Sequence, residues 1–361
     1  MKRRDFARNL FGVPLAAALP AQAAWALDNP LALPEGGSIT DVPGIKVGHQ
    51  TLTTRPTGCT VILCESGATA GVDVRGSAPG TRETDLLSPT NVVQQVQAIL
   101  LSGGSAYGLA AATGVVRWLE EHNLGYKIGK GVVPIVPAAI LMDLGVGDFK
   151  IRPADEDGYK ACVAATTGPV AEGNVGAGAG ATIGKMFGSG FAMKSGLGTA
   201  SVKIADTGIV VGALVAVNAV GDVVDPHTGK IVAGARTEDG KGYRNTMDSI
   251  MKGYRVIAEN AANTTLGIIA TNASFTKTQM TKIAQMAHDG YARAINPIHT
   301  MADGDTIFAL STGTTKVQAD ASAIGAIAAT VMARAIVRAA MQATSLSEPN
   351  LPAWRDYARR L

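Results

Sequence analysis

Asn263-Thr264-Thr265, set just before the apolar run Gly267-Ile268-Ile269-Ala270, has the composition of a place where a chain cuts itself to make a nucleophile. A threonine hydroxyl attacks poorly until a base removes its proton. Breaking the Asn263–Thr264 bond would give Thr264 a free α-amine, whose ordinary pKa of about 7.7–8.0 suits it to accept a proton near neutrality. Nucleophile and base would then share one residue. The same tripeptide also suits the polar start of a strand, and taken alone it does not separate the two readings.

Other polar residues fit either chemistry or architecture. Lys185 follows Gly184 in a glycine-dense stretch, but Ala179 and Met186 occupy positions where a phosphate loop needs Gly and Ser/Thr. A buried lysine could keep the Thr264 amine neutral or steady an oxyanion; a hairpin carrying a surface charge is the alternative. Asn218 closes an apolar strand, where its carboxamide needs partners; it could cap the turn or donate to an oxyanion. Asp303 and Asp305, in Asp303-Gly304-Asp305-Thr306, suit a turn or could orient the Thr264 hydroxyl or amine. His299, close by, reads as structural. Neither a GxSxG nor an HExxH pattern occurs, and Cys59, Cys64 and Cys162 lack ligand spacing, so no metal and no cofactor is expected. Cys59 and Cys64 lie five apart on one strand, hence on opposite faces, and should not bridge.

These residues need a large scaffold. The chain has 361 residues, 47% of them hydrophobic and 17% charged, which implies an extensive core. A net charge of +3 without a dense basic stripe gives no case for nucleic acid. Residues 1–26 read as an export signal of the twin-arginine type, with Arg3-Arg4 ahead of a short apolar stretch and a small-residue cleavage site. Pro14 and Pro20 argue against a membrane span, and a periplasmic location is expected. Residues 27–38 read as a linker, and 39–361 as one catalytic domain.

Within that domain, Thr60–Leu63, Val96–Leu101, Ile209–Asn218, Thr264–Thr271 and Thr306–Ser311 have strand composition. Gly71–Arg75 reads as a separate strand end. Ser105 suits the N-cap of a helix running to about Glu121, and the turn at Gly103-Gly104-Ser105 could offer backbone N–H groups to a ligand or allow tight helix–sheet packing. Val132–Met142 suits a strand or a buried helix. Ala219–Asp222 suits a tight turn, and residues 228–250 an exposed loop. Thr276–Gln279 is a capping box, followed by Met280, Ile283, Ala284, Ala287 and Tyr291 at helical spacing. Val317–Met341 reads as an alanine-rich helix. The mixture indicates a layered α/β or α+β domain.

Taken in order, Gly71-Val72-Asp73-Val74-Arg75-Gly76, Pro79–Asp85, Leu101–Leu109, the glycine-rich segment through Lys185, Val217-Asn218, Asn263-Thr264-Thr265 and Asp303–Thr306 resemble the self-processing S58 peptidases. That family includes the L-aminopeptidase/D-esterases, the β-peptidyl aminopeptidases and the nylon-oligomer hydrolases. The resemblance implies a four-layer αββα sandwich, cut into an α chain (27–263) and a β chain (264–361), with homo-oligomers of αβ units. It implies Thr264 as nucleophile, Lys185 and Asn218 as active-site partners, and Asp303 and Asp305 as orienting carboxylates. It also implies substrate contacts near Gly104, Ser105 and Met142, where Met142 stands in place of a tyrosine found in some members. The expected activity is hydrolysis of peptide or peptide-like amides. An acyltransferase of the ornithine acetyltransferase type and a catalytically inert binding homologue are the alternatives.

Overall fold

The computed structural model describes residues 36–254 and 263–358. The predicted export signal, with Arg3 and Arg4, and most of the linker lie outside the described residues. One sheet layer is built from β1 (Lys46–Leu52), the first part of β2 (Thr57–Val74), β3 (Thr81–Arg82), β4 (Val96–Ser102) and, after a small ribbon of β5 (Tyr126–Ile128) and β6 (Gly131–Val133), β7 (Ala138–Ile140). A second ribbon, β8 (Thr182–Ile183) with β9 (Met193–Lys194), leads to β10 (Leu197–Lys203) and β11 (Val210–Asn218), which open the other layer. The chain leaves that layer for β12 (Asp222–Val224) and β13 (Ile231–Ala233) and returns in β14 (Thr264–Thr271). It meets β12 again in β15 (Ile295–Asn296) and completes the layer with β16 (Thr306–Ser311).

β2 joins the two layers. The sequence suggests two pieces, but the chain runs through both as one 18-residue strand. Residues 57–68 pair with β1 and β4, and residues 69–74 pair with β16. The ladder to β4 slips between Leu63 and Ala68, an irregularity that bends and twists a strand.

Alternation along the strands assigns the layers. Val211, Ala213, Val215, Val217, Ile269, Ile307 and Ala309 pack against α4 (Lys277–Ala294) and α5 (Ala321–Gln342). Their neighbours Leu214, Ala216, Leu266, Ile268, Phe308 and Leu310 turn inward and meet Ile62, Cys64, Ile99 and Leu101 of the opposite layer. On the far side Cys59, Val61, Leu63 and Leu100 pack against α1 (Ala111–Glu121) and α2 (Asp155–Val163). The result is the expected αββα sandwich. Cys59 and Cys64 do face opposite sides, and all three cysteines are buried and unbridged.

α4 starts at the expected capping box, and all five of its spaced apolar residues are buried. It supplies the crossover that the parallel pair β14–β16 requires. α5 begins at Ala321, four residues later than the apolar pattern, because the Asp320 carboxylate caps it by accepting from the Ala323 N–H at 2.9 Å. Although long and apolar enough to cross a membrane, α5 is a core helix in this molecule.

Three local expectations fail for identifiable reasons. Ser105 is not an N-cap; Gly104, at φ +86°, takes that place ahead of a 3₁₀ turn over Ser105–Ala110. Residues 132–142 form neither one strand nor a helix, because Pro134 and Pro137 separate β6 from β7. Residues 228–250 are not simply an exposed loop. The buried Asp222 carboxylate accepts from the Ala235 and Thr246 N–H groups, both at 2.9 Å, and draws in β13 and the start of α3 (Thr246–Met251).

Candidate active site

The sheet brings the chemistry-bearing residues together by register. Antiparallel pairing sets Asn218, the last residue of β11, opposite Thr264, the first of β14. Parallel pairing of β14 with β16 places their starts side by side, and an isolated parallel bridge joins Asn263 to Asp303. Thr264 is 2% exposed and Asn263 6%. In this intact chain the Asn263 carbonyl accepts from two donors, the Thr264 hydroxyl and, at 3.1 Å, the Gly304 N–H. Gly304 has to be glycine: a Cβ there would lie 2.8 Å from Thr264 Oγ1 and 2.6 Å from the Ala78 carbonyl.

Lys185 and Asn218 form one unit. The Lys185 Nζ donates to the Asn218 carbonyl at 3.0 Å and to its Oδ1 at 2.9 Å. Thr182 donates its N–H to the same Oδ1 at 3.0 Å. Burial of the ammonium pushes the Lys185 pKa down to about 7, against an upward pull from Asp303, Asp143 and Asp305. Asn218 donates through Nδ2 to the Met142 carbonyl at 2.9 Å. Met142 thus touches the centre through its backbone, a contact that does not depend on which side chain stands there.

The two carboxylates are differently held. Asp305 is fully buried; its Oδ1 accepts from the Thr265 N–H at 2.7 Å, and its Oδ2 from the His299 backbone N–H at 3.1 Å and the His299 ring Nδ1 at 2.8 Å. Asp303 accepts at Oδ2 from the Thr300 N–H (2.8 Å) and hydroxyl (2.5 Å), while its buried Oδ1 has no hydrogen-bond partner among the described residues. Burial, and then the charge of Asp305, push the Asp303 carboxyl above its usual range. The loop carrying both is clamped from β2: Arg75 and Gly76 donate their N–H groups to the Asp305 carbonyl, and Ala78 to that of Asp303.

The third wall rests on a buried ion pair that sequence reasoning missed. Arg55 meets Asp143 at 2.6 Å with both side chains fully buried. The Asp143 carboxylate also accepts from the Thr57 hydroxyl at 2.6 Å and the Gly104 N–H at 2.8 Å. Ser105 gives its N–H to the Leu141 carbonyl at 3.0 Å. The N–H groups of Gly104 and Ser105 therefore bond to the protein's own acceptors, which favours the packing reading of that turn.

Two facing sheets between helix pairs are the N-terminal-nucleophile-hydrolase type of fold. Solved structures of a Burkholderia sp. β-aminopeptidase and of an Ochrobactrum anthropi L-aminopeptidase D-Ala-esterase/amidase, the latter described as a variant of that fold, share it. Both superpose with a TM-score of 0.67; the first is 24% identical, covering 92% of this chain and 98% of its own, the second 20%, covering 92% and 96%. The chain belongs to peptidase family S58, whose model matches residues 37–351, and is a hydrolase. It is 44% identical to an uncharacterised aminopeptidase of Mycobacterium leprae, over 86% of this chain and 91% of the relative. It is 32% identical to a 6-aminohexanoate-oligomer endohydrolase of Kocuria sp., over 83% and 85%.

Proposed function

We propose that the chain cuts itself between Asn263 and Thr264 and then hydrolyses peptide or peptide-like amides through an acyl-enzyme on Thr264. The observation that carries this reading is the Asn263 carbonyl held between the Thr264 hydroxyl and the Gly304 N–H at a buried strand start. The names borne by the aminopeptidase and oligomer-endohydrolase relatives support an amide substrate.

The first cut needs a base other than the Thr264 nitrogen, which is still a peptide nitrogen and holds no proton-accepting lone pair. Lys185, at about 7, is the group suited to that task. Its neutral amine takes the hydroxyl proton, and the Thr264 oxygen attacks the Asn263 carbonyl carbon. The Gly304 N–H meets the developing oxyanion. The peptide C–N bond breaks as the nitrogen recovers a proton from Lys185, leaving an ester between Asn263 and Thr264. Water hydrolyses the ester to the Asn263 carboxylate and a threonine bearing both hydroxyl and free amine. In turnover that amine is the base. The hydroxyl attacks the substrate carbonyl, the proton passes to the leaving amine, and water releases the acyl group. Asn218 and Lys185 line the oxyanion side, Asp303 orients the new amine, and Asp305 holds the strand start through the Thr265 N–H.

The pH dependence follows with a definite sign. Protonated Lys185 cannot accept the hydroxyl proton, so the rate of self-cleavage rises with pH and levels off above about 7. Lys185→Met removes that limb and slows the cut by roughly 10²–10⁴-fold. Following conversion of the cell-free-synthesised chain on gels from pH 5.5 to 8.5 checks both; a flat profile in the parent chain excludes Lys185 as the base.

A further inference from the structure

We infer that His299 is a positioning residue, fixing Asp305 and, through the Asp305–Thr265 hydrogen bond, the strand start that presents Thr264. This rests on the proposed self-cleavage and goes beyond it by assigning a residue that the amino-acid pattern leaves as structural.

The geometry is a continuous chain of bonds. The His299 ring Nδ1 lies 2.8 Å from Asp305 Oδ2, and its own backbone N–H donates to the same oxygen at 3.1 Å. The other oxygen of that carboxylate takes the N–H of Thr265, the residue after the nucleophile, at 2.7 Å. A carboxylate oxygen accepts, so the ring proton sits on Nδ1. The backbone at His299 is left-handed, with φ +59°, a conformation costly for most residues and tolerated by Asn and Gly. The loop adopts it and thereby aims both donors at one oxygen. On the other side the ring is walled by α4: its centroid lies 4.8 Å from that of His288 and 5.9 Å from that of Tyr291. His288 donates from Nε2 to the Asp73 carbonyl at 3.2 Å, and burial pushes its pKa down to about 4, so it stays neutral beside His299. The ionisable groups that face the ring are Asp305 on its own loop and His288 and Tyr291 on α4, with Asp73 and Arg75 beyond, against His288.

The consequence is a division of labour. Asp305 is committed to His299 and Thr265, whereas Asp303 retains a buried Oδ1 with no partner among the described residues, beside the Asn263–Thr264 bond. Without the ring donor, the Asp305 carboxylate loses one of the bonds that hold it against the Thr265 N–H.

His299→Asn and His299→Gly both accept the left-handed backbone, but only Asn offers a side-chain N–H near the Nδ1 position. The expected result is self-cleavage within about threefold of the parent for His299→Asn. For His299→Gly it slows by about 10–100-fold, so that the side-chain donor of His299→Asn is what restores the rate. Near-ultraviolet circular dichroism confirms that both variants are folded. Nitrogen NMR of the histidine rings in uncut Thr264→Ala protein should show His299 protonated at Nδ1. Equal rates in the two variants, or a ring protonated only at Nε2, overturn the inference. A parent chain that never cuts itself overturns the proposed function instead, and the ring tautomer still decides the role of His299.

Discussion

Thr264→Ala is expected to leave the chain in one piece and to lower amide hydrolysis by on the order of 10⁴-fold or more. In the proposed scheme one hydroxyl serves twice, first on the Asn263 carbonyl and then on substrate. Its loss therefore removes the maturation and the turnover together. Among the described residues nothing else at the strand start replaces it in the right place: the Thr265 hydroxyl is buried without a hydrogen-bond partner there and belongs to the next residue, whose side chain points to the opposite face of β14. Thr264→Ser separates chemistry from orientation. It keeps a hydroxyl but loses the β-branch that restricts χ1, so it should still cut, more slowly by roughly tenfold, as the hydroxyl samples other rotamers. Gel analysis of the freshly purified variants and an amide-hydrolysis assay check both. Normal fragments from Thr264→Ala would show that another group makes the cut.

Arg55→Ala is expected to have the largest effect on stability. The guanidinium is wholly buried and donates to the Val146 carbonyl (2.7 Å), the Ile151 carbonyl (2.6 Å), and both the carboxylate and the carbonyl of Asp143. Truncation leaves the Asp143 charge buried with, among the described residues, only Thr57 and Gly104 as donors, and strands the Val146 and Ile151 carbonyls, while the Asp143 carbonyl keeps the Val146 N–H at 3.0 Å. A loss of about 3–5 kcal/mol follows, as for other buried pairs broken on one side. Because Met142 adjoins Asp143 and holds Asn218 through its carbonyl, self-cleavage should weaken as well. Adding Asp143→Asn should recover part of the stability by removing the stranded charge. Urea unfolding of uncut Thr264→Ala protein, with and without these changes, measures it. A midpoint unchanged by Arg55→Ala would mean that the pair is not what holds this wall.

The centre is partly legible in the chain itself. β14, β16 and α4 are marked by local signals: an apolar run after Asn263-Thr264-Thr265, another after Asp305, and a capping box at Thr276–Gln279. Lys185, Asn218 and the Asp303/Asp305 pair can be singled out as polar residues at strand ends or in glycine-rich turns. What cannot be seen is their meeting. The Asn263–Asp303 bridge is a parallel pairing across 40 positions, and its geometry exists only once α4 has crossed over. Gly304 reads as turn glycine, yet its N–H is the donor to the carbonyl beside Thr264. Arg55, in Thr53-Thr54-Arg55-Pro56, has the look of an exposed turn, and its partner Asp143 lies 88 residues away. His299 carries no spacing signal, since its role comes from one ring bond to a carboxylate six residues on. Ser105 misleads for the opposite reason: a good capping residue is displaced by a left-handed glycine one position earlier.

The central claim is tested most directly by amino-terminal sequencing together with intact-mass measurement of the active, purified protein. The account predicts two tightly associated fragments, the smaller beginning at Thr264 and ending at Leu361. An active preparation consisting of a single chain continuous through Asn263 and Thr264 would contradict it.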